Sequence, residues 1–131
     1  MGYINACKAI ESFSKRMTGV MIKHQDFRTI IEKYDSEEAL FYVDSPYVSR
    51  EKYYAGGFTE KDHKDLAEML NNVKGKVIVS YYDDQLIQKC YQGWEMESFK
   101  AYKQVVGNSN IGTEAEELLL MNFSTNQLSL F

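Results

Sequence analysis

Helical patterns and short apolar runs alternate along the 131 residues, and this alternation restricts the possible folds more than any other feature. Four segments have the apolar spacing of helices, and most begin at a capping residue or stop at a glycine: residues 4–17, 26–34, 59–73 and 84–91. Five runs have the length of strands: residues 20–23, 40–43, 76–82, 95–104 and 117–123. The pattern predicts a three-layer α/β domain with a mainly parallel sheet, in which residues 40–43 form a buried strand and the last two strands can pair as a hairpin.

Composition is consistent with one soluble domain that has a modest core, since 44% of the residues are hydrophobic. No run approaches the roughly 20 apolar residues of a membrane span, and residues 1–19 are too polar for a signal peptide, so we expect a cytoplasmic protein. Cys7 and Cys90 lack metal-ligand spacing with His24 or His63, which predicts reduced structural thiols and no metal site.

The formal net charge of −4 argues against a protein that grips duplex DNA unaided. Non-specific affinity for DNA comes mostly from basic side chains that neutralise phosphates. If DNA is the substrate, another molecule must therefore supply much of the basic surface.

The clearest chemical signal is the run Phe-Tyr-Val-Asp-Ser-Pro-Tyr at residues 41–47, which ends a predicted strand. In open α/β sheets, ligands bind beyond the carboxyl ends of the strands. The Asp44 carboxylate and the Ser45 carbonyl are placed to accept hydrogen bonds from a planar amine, and an extruded nucleobase can stack on Tyr47. Taken alone, Asp-Ser-Pro is also the sequence of an ordinary turn.

The neighbouring segments favour the first interpretation, because several of them occur in the order found in one enzyme family. The matching segments are Asp26-Phe27, residues 40–47, Tyr53-Tyr54, Gly57-Phe58-Thr59, Asp62-His63, residues 76–83, Trp94 and residues 117–123. Residues 19–123 thus resemble the C-terminal half of the DNA adenine methyltransferases related to the bacterial Dam enzymes, whose motif is Asp-Pro-Pro-Tyr. Ser45 replaces the first proline of that motif, and Pro46 partly compensates by favouring extended backbone at Ser45.

The resemblance implies a Rossmann-like methyltransferase fold with an antiparallel strand near its C-terminal edge. It also implies methyl transfer from S-adenosylmethionine to the exocyclic amine of adenine in DNA. Asp44, Ser45, Pro46 and Tyr47 would then hold the amine, and Asp44 would also lie near the cofactor. Such a reaction needs alignment and hydrogen-bond acceptors more than a strong base.

Further roles follow from the resemblance, each beside a simpler structural alternative. Asp26 and Phe27 match a pair beside the cofactor adenine, but they could be only a helix cap and a core residue. Tyr53 or Tyr54 matches an aromatic ring that closes over the cofactor, but both tyrosines could simply cover a loop.

Charged residues in the same part of the chain have similar alternatives. Arg50 and Lys52 could contact DNA phosphates or lie in a solvated loop. Asp83 and Asp84 look like an acid pair, but their position predicts helix caps.

One part of the family pattern is missing from these residues. No Gly-rich Phe-x-Gly-x-Gly segment for the cofactor is present, nor is a segment that would read DNA bases. We therefore expect a split gene product, a remnant, or a subunit completed by an N-terminal half on another chain or by a homo-oligomer. The alternative is a non-catalytic accessory protein that keeps the fold and binds a partner.

The last residues, Gln127-Leu128-Ser129-Leu130-Phe131, resemble the peptide by which bacterial DNA enzymes dock onto the replicative sliding clamp. In this interpretation Gln127, Leu128, Leu130 and Phe131 contact the clamp, and residues 124–131 form a flexible tail on a domain of residues 1–123. The alternative is a hydrophobic end that folds back onto the domain. Together these features suggest a bacterial or phage protein.

Overall fold

The computed structural model describes residues 3–48, 57–103 and 113–125. Its four strands, β1 (Leu40–Asp44), β2 (Lys76–Tyr82), β3 (Glu95–Lys103) and β4 (Thr113–Met121), form one sheet in the order β1-β2-β4-β3. The helices are α1 (Tyr3–Arg16), α2 (Phe27–Tyr34), α3 (Glu60–Leu70) and α4 (Gln85–Cys90). The α/β class and the helices predicted from the sequence are confirmed. None of these helices is long and apolar enough to cross a membrane.

Pairing within the sheet is mixed, so the prediction of a mainly parallel sheet is wrong. β1 and β2 run parallel, whereas β4 is antiparallel to both β2 and β3. The predicted hairpin of the last two strands is confirmed, and it explains the difference. Its second strand, β4, inserts between β2 and β3, so β3 runs in the same direction as β1 and β2 but pairs with neither of them.

The predicted strand at residues 20–23 is also wrong, because the structure shows no regular element there. Its side chains are exposed, with Ile22 80% accessible. A strand persists when a neighbour accepts its backbone hydrogen bonds. In the described part of the chain, this segment has no strand beside it.

β1 is present but is an edge strand with one covered face, not the buried strand predicted. Leu40 and Tyr42 are 63% and 64% exposed, whereas Phe41 and Val43 pack against the core. The alternation arises because successive strand residues point to opposite faces of the sheet. Among the described helices, those that pack on the sheet cover one of its faces.

The core lies between that covered face and helices α2, α3 and α4. Its fully buried members include Leu70, Val77, Val79, Ile87 and Leu120, which come from two helices and two strands. At roughly 1.5 to 3 kcal/mol for each fully buried aliphatic side chain, this cluster supplies much of the driving force for folding.

Capping residues are present at the predicted starts of α3 and α4. Thr59 and Asp62 form a reciprocal capping box at the start of α3. The Asp84 carboxylate accepts a hydrogen bond of 2.7 Å from the Leu86 amide at the start of α4. Asp83 instead accepts a hydrogen bond from the Gln88 side chain at 2.6 Å. Asp84 is therefore the predicted cap of α4, whereas Asp83 bonds a side chain of that helix and does not cap it.

Side chains from before β1 and from after β4 hold the start of β2. The Asp35 carboxylate accepts hydrogen bonds from the amides of Lys74 and Gly75 at 3.0 and 3.1 Å. Asn122 accepts one from the Val77 amide at 2.8 Å and donates one to the Gly75 carbonyl at 3.0 Å. A β-carbon at position 75 would lie 2.8 Å from the Ala39 carbonyl oxygen, so the close approach of the two strands requires glycine. Asp35 therefore anchors the start of β2 near β1, and Asn122 anchors it near the end of β4.

Candidate functional site

The parallel register brings the predicted motif next to the end of β2. Asp44 is the last residue of β1, and its partner across the sheet is Ser80. The Asp44 side chain is exposed. Because the carboxyl ends of parallel strands meet at one edge, the residues that follow both strands meet there as well.

The Tyr47 ring lies on this edge as a supported platform. Its centroid is 4.0 Å from that of Tyr82, with 34° between the ring planes, and 6.3 Å from that of Tyr81. Burial raises the pKa of the Tyr47 phenol, and a hydrogen bond with the Ser80 side chain acts in the opposite direction. The phenol therefore stays neutral near pH 7. The ring is half-buried and also packs against the core, and its contact with Tyr82 holds it in place.

Ser45 carries an unusual hydroxyl within this loop. Among the residues that the structure describes, its Oγ is buried and has no hydrogen-bond partner. An unsatisfied buried polar group costs about 1 to 3 kcal/mol, so such groups are rare. The hydroxyl lies in the four-residue motif that the sequence singled out.

A continuous series of ring contacts joins the motif to the predicted cofactor residue Phe27. Phe27 lies 5.9 Å from Phe58, and Phe58 lies 4.7 Å from His63, edge to face. The buried His63 contacts Tyr81 with its ring at 5.6 Å and by a hydrogen bond of 2.9 Å through Nδ1. Tyr81 in turn contacts Tyr47. Thus Phe27 and Tyr47, far apart in sequence, belong to one packed aromatic layer.

Asp26 has the partners of a structural carboxylate. It caps α2 by accepting a hydrogen bond from the Arg28 amide at 2.9 Å, and it pairs with the Arg28 guanidinium at 3.1 Å. The same guanidinium binds Asp62 and Asp65, each at 2.7 Å. Hydrogen bonds from Arg28 and Thr59 lower the pKa of Asp62 to about 2. The helix-cap alternative for Asp26 is therefore seen, and a cofactor role for Asp26 or Phe27 stays a prediction.

Several predicted site residues lie outside the described part of the chain: Arg50, Lys52, Tyr53, Tyr54, Gln127, Leu128, Leu130 and Phe131. At the start of the predicted tail of residues 124–131, Thr125 is fixed to the Glu95 carboxylate through its amide at 3.0 Å and its hydroxyl at 2.8 Å. The tail's clamp-binding role stays a prediction.

Sequence reasoning missed Ser80 and Tyr82, the two residues that support Tyr47. Both lie at the end of the run Lys76–Tyr82, which was correctly predicted as a strand. A parallel pairing of this strand with the strand before the motif would have placed them beside Asp44. The strand itself could be found from the sequence, but the positions of Ser80 and Tyr82 beside the motif depended on knowing which strand it pairs with.

A groove in the described residues lies elsewhere, between α2 and α3. It has a volume of about 410 Å³ and is lined by Ile31, Glu32, Asp35, Glu68, Met69, Asn72 and Val73. None of the predicted site residues lines it. Within the described residues, no group of three or more His, Cys, Asp or Glu side chains is placed to hold a metal ion.

Comparison with protein families gives one match, and it covers most of the chain. The family model described as D12 class N6 adenine-specific DNA methyltransferase matches residues 3–107 of the 131. The matched range includes β1, the motif at residues 44–47, β2 and the aromatic layer. No curated protein matches the chain.

Proposed function

The chain belongs to the D12 class N6 adenine-specific DNA methyltransferase family, and we propose that it supplies the part of such an enzyme that holds the adenine amine. The observation that carries this proposal is the placement of Tyr47. Its ring is stacked on Tyr82 and hydrogen-bonded to Ser80, directly beside the exposed Asp44 at the end of β1.

In the proposed mechanism, the target adenine leaves the DNA stack and stacks on the exposed part of the Tyr47 ring. The Asp44 carboxylate and the Ser45 carbonyl accept hydrogen bonds from the exocyclic amine. These bonds hold the nitrogen in position and orient its lone pair. If a bound cofactor supplies the methyl group, positive charge would build on that nitrogen as the nitrogen–carbon bond forms and the carbon–sulfur bond breaks, and the extra proton would then pass to solvent. Asp44 carries its negative charge where this positive charge develops, so it stabilises the transition state more than the ground state.

S-adenosylmethionine is the cofactor that the family implies, and when bound it supplies an activated methyl group. The residues described here are better suited to bind the adenine amine than to bind the cofactor. Asp44 is exposed at the strand end and free to face both, whereas the Asp26 carboxylate is already engaged by Arg28. We therefore propose that the remaining cofactor contacts come from a segment outside these 131 residues, and that the complete enzyme acts on specific sites in DNA in the cytoplasm.

Binding of 2′-deoxyadenosine 5′-monophosphate tests the site directly. In a two-dimensional amide NMR titration, we expect shifts concentrated at residues 44–47 and 80–82. Tyr47→Leu should weaken binding by roughly 5- to 150-fold, because stacking of a base on an aromatic ring contributes about 1 to 3 kcal/mol.

The matched control is Tyr34→Leu, which removes a partly exposed tyrosine from α2. It should leave the affinity unchanged. Equal binding by wild type and Tyr47→Leu would contradict the proposal, as would shifts that map to the groove between α2 and α3.

A further inference from the structure

His63 is a buried polar side chain that has no role in the mechanism described above. It lies on α3 with none of its surface exposed, and its ring packs edge-on against Phe58 at 4.7 Å. Burying a polar group costs free energy unless the group is hydrogen-bonded. An apolar side chain of similar size would fill the same space without that cost. Hydrogen bonding is therefore what histidine adds at this position.

A hydrogen bond of His63 joins α3 to the strand beside the candidate site. Its Nδ1 lies 2.9 Å from the hydroxyl oxygen of Tyr81, which is also fully buried. Tyr81 lies one residue beyond the last pair of β1 and β2, and its own pairing partner is Leu118 on β4. A buried hydrogen bond is directional, and a satisfied pair of this kind makes the surrounding packing more rigid. The bond therefore orients the Tyr81 ring from the covered face of the sheet.

His63 is itself held in place at the start of α3. The capping box of Thr59 and Asp62 directly precedes it, and its amide donates a hydrogen bond to the Thr59 carbonyl at 3.1 Å. The Arg28 guanidinium binds the carboxylates of Asp62 and Asp65 at 2.7 Å each, and so ties the first turns of α3 to α2. Because its backbone is anchored in this way, the His63 ring can serve as a fixed point for Tyr81.

Tyr81 extends this constraint to the candidate site. Its ring contacts the Tyr47 ring edge to face, with the centroids 6.3 Å apart and 62° between the planes. We propose that His63 is a positioning residue, which acts through Tyr81 to hold Tyr47 in the orientation in which an adenine stacks on it. His63 is fully buried and acts without contact with the base. This inference rests on the proposed adenine site.

Titration with 2′-deoxyadenosine 5′-monophosphate, followed by amide NMR, tests the role of the His63 nitrogen. His63→Leu keeps a similar size but removes the hydrogen bond, and it should weaken binding roughly three- to tenfold. His63→Asn places an amide group near the position of Nδ1. It should restore most of the affinity, because a polar atom again faces the Tyr81 hydroxyl.

Tyr81→Phe removes the other partner of the same bond by deleting one oxygen atom, so it tests the inference even if His63→Leu does not fold. It should weaken binding by a similar factor. The double variant should bind no more weakly than either single variant, since the two residues act through one bond. Leu70→Ala is the matched control, because Leu70 is fully buried two turns later on the same helix. It should lower the melting temperature and leave the affinity unchanged.

The results that would overturn this inference are distinct from failure of the proposed function. Unchanged affinity in His63→Leu and Tyr81→Phe would overturn it, as would a loss in His63→Asn as large as that in His63→Leu. An equal loss in Leu70→Ala would also overturn it, because affinity would then follow stability and not the orientation of Tyr81. If the wild type does not bind the nucleotide, the proposed function fails before any substitution is made, and the inference fails with it.

Discussion

Replacing Leu120 with alanine should lower the free energy of unfolding by roughly 2 to 5 kcal/mol, which is a large part of the stability of a domain this size. Leu120 is fully buried on β4, opposite Val79, and it belongs to the core shared by the helices and the sheet. Alanine would leave a cavity that surrounding strand residues cannot fill, because their backbones are held by ladder hydrogen bonds on both sides.

Urea denaturation followed by circular dichroism measures this loss. Leu40→Ala is the matched control, because it makes the same change at a 63% exposed position of the same sheet. Both variants should be compared at one low protein concentration, so that association does not contribute. Leu40→Ala should change the free energy by about 0.5 kcal/mol or less. Similar losses at both positions would show that the core is not where the structure places it.

The second large effect concerns the cofactor. The 131-residue chain alone should bind S-adenosylmethionine only weakly and should transfer no measurable methyl group to DNA. Without the Gly-rich segment, contacts to the charged end of the cofactor are lost, and each charge-assisted hydrogen bond contributes roughly 1.5 to 3 kcal/mol. Several such losses together would move the dissociation constant up by several powers of ten.

Calorimetry and a tritium-transfer assay on adenine-containing DNA measure the two quantities. S-adenosylhomocysteine serves as a comparison ligand that lacks the methyl group and the sulfonium charge. A dissociation constant in the low micromolar range, or tritium incorporated into adenine, would mean that the chain contains a complete cofactor site.

Local signals in the sequence predicted most of the secondary structure. The bounds of β2 and the capping residues Thr59, Asp84 and Asp26 were correct, because helix caps and apolar runs depend on residues close together in the chain. Strand direction depends on distant partners. The mixed sheet and the missing strand at residues 20–23 could not be inferred from local patterns, since both depend on which strands lie side by side.

In the candidate site, too, features set by neighbouring residues could be predicted, and features set by strand pairing could not. The motif could be located from residues 44–47 alone, because its acid, proline and aromatic ring are consecutive. Ser80 and Tyr82 could not be assigned, because their contact with Tyr47 follows from the parallel register of β1 and β2. For Asp26, the sequence suggested a cofactor contact. In the structure, the partner described for Asp26 is Arg28.

Recognition of the exocyclic amine is the central claim, and one comparison of two ligands tests it most directly. The amide NMR titration is repeated with 2′-deoxyadenosine 5′-monophosphate and with its N6,N6-dimethyl analogue, which has the same ring for stacking but no N–H to donate. The first ligand should bind wild type roughly tenfold or more tightly, since a hydrogen bond to a charged group contributes about 1.5 to 3 kcal/mol. In Asp44→Asn, which keeps the shape but removes the negative charge, this preference should largely disappear. Equal binding of both ligands by wild type, or an unchanged preference in Asp44→Asn, would contradict the assignment of Asp44 as the acceptor of the adenine amine.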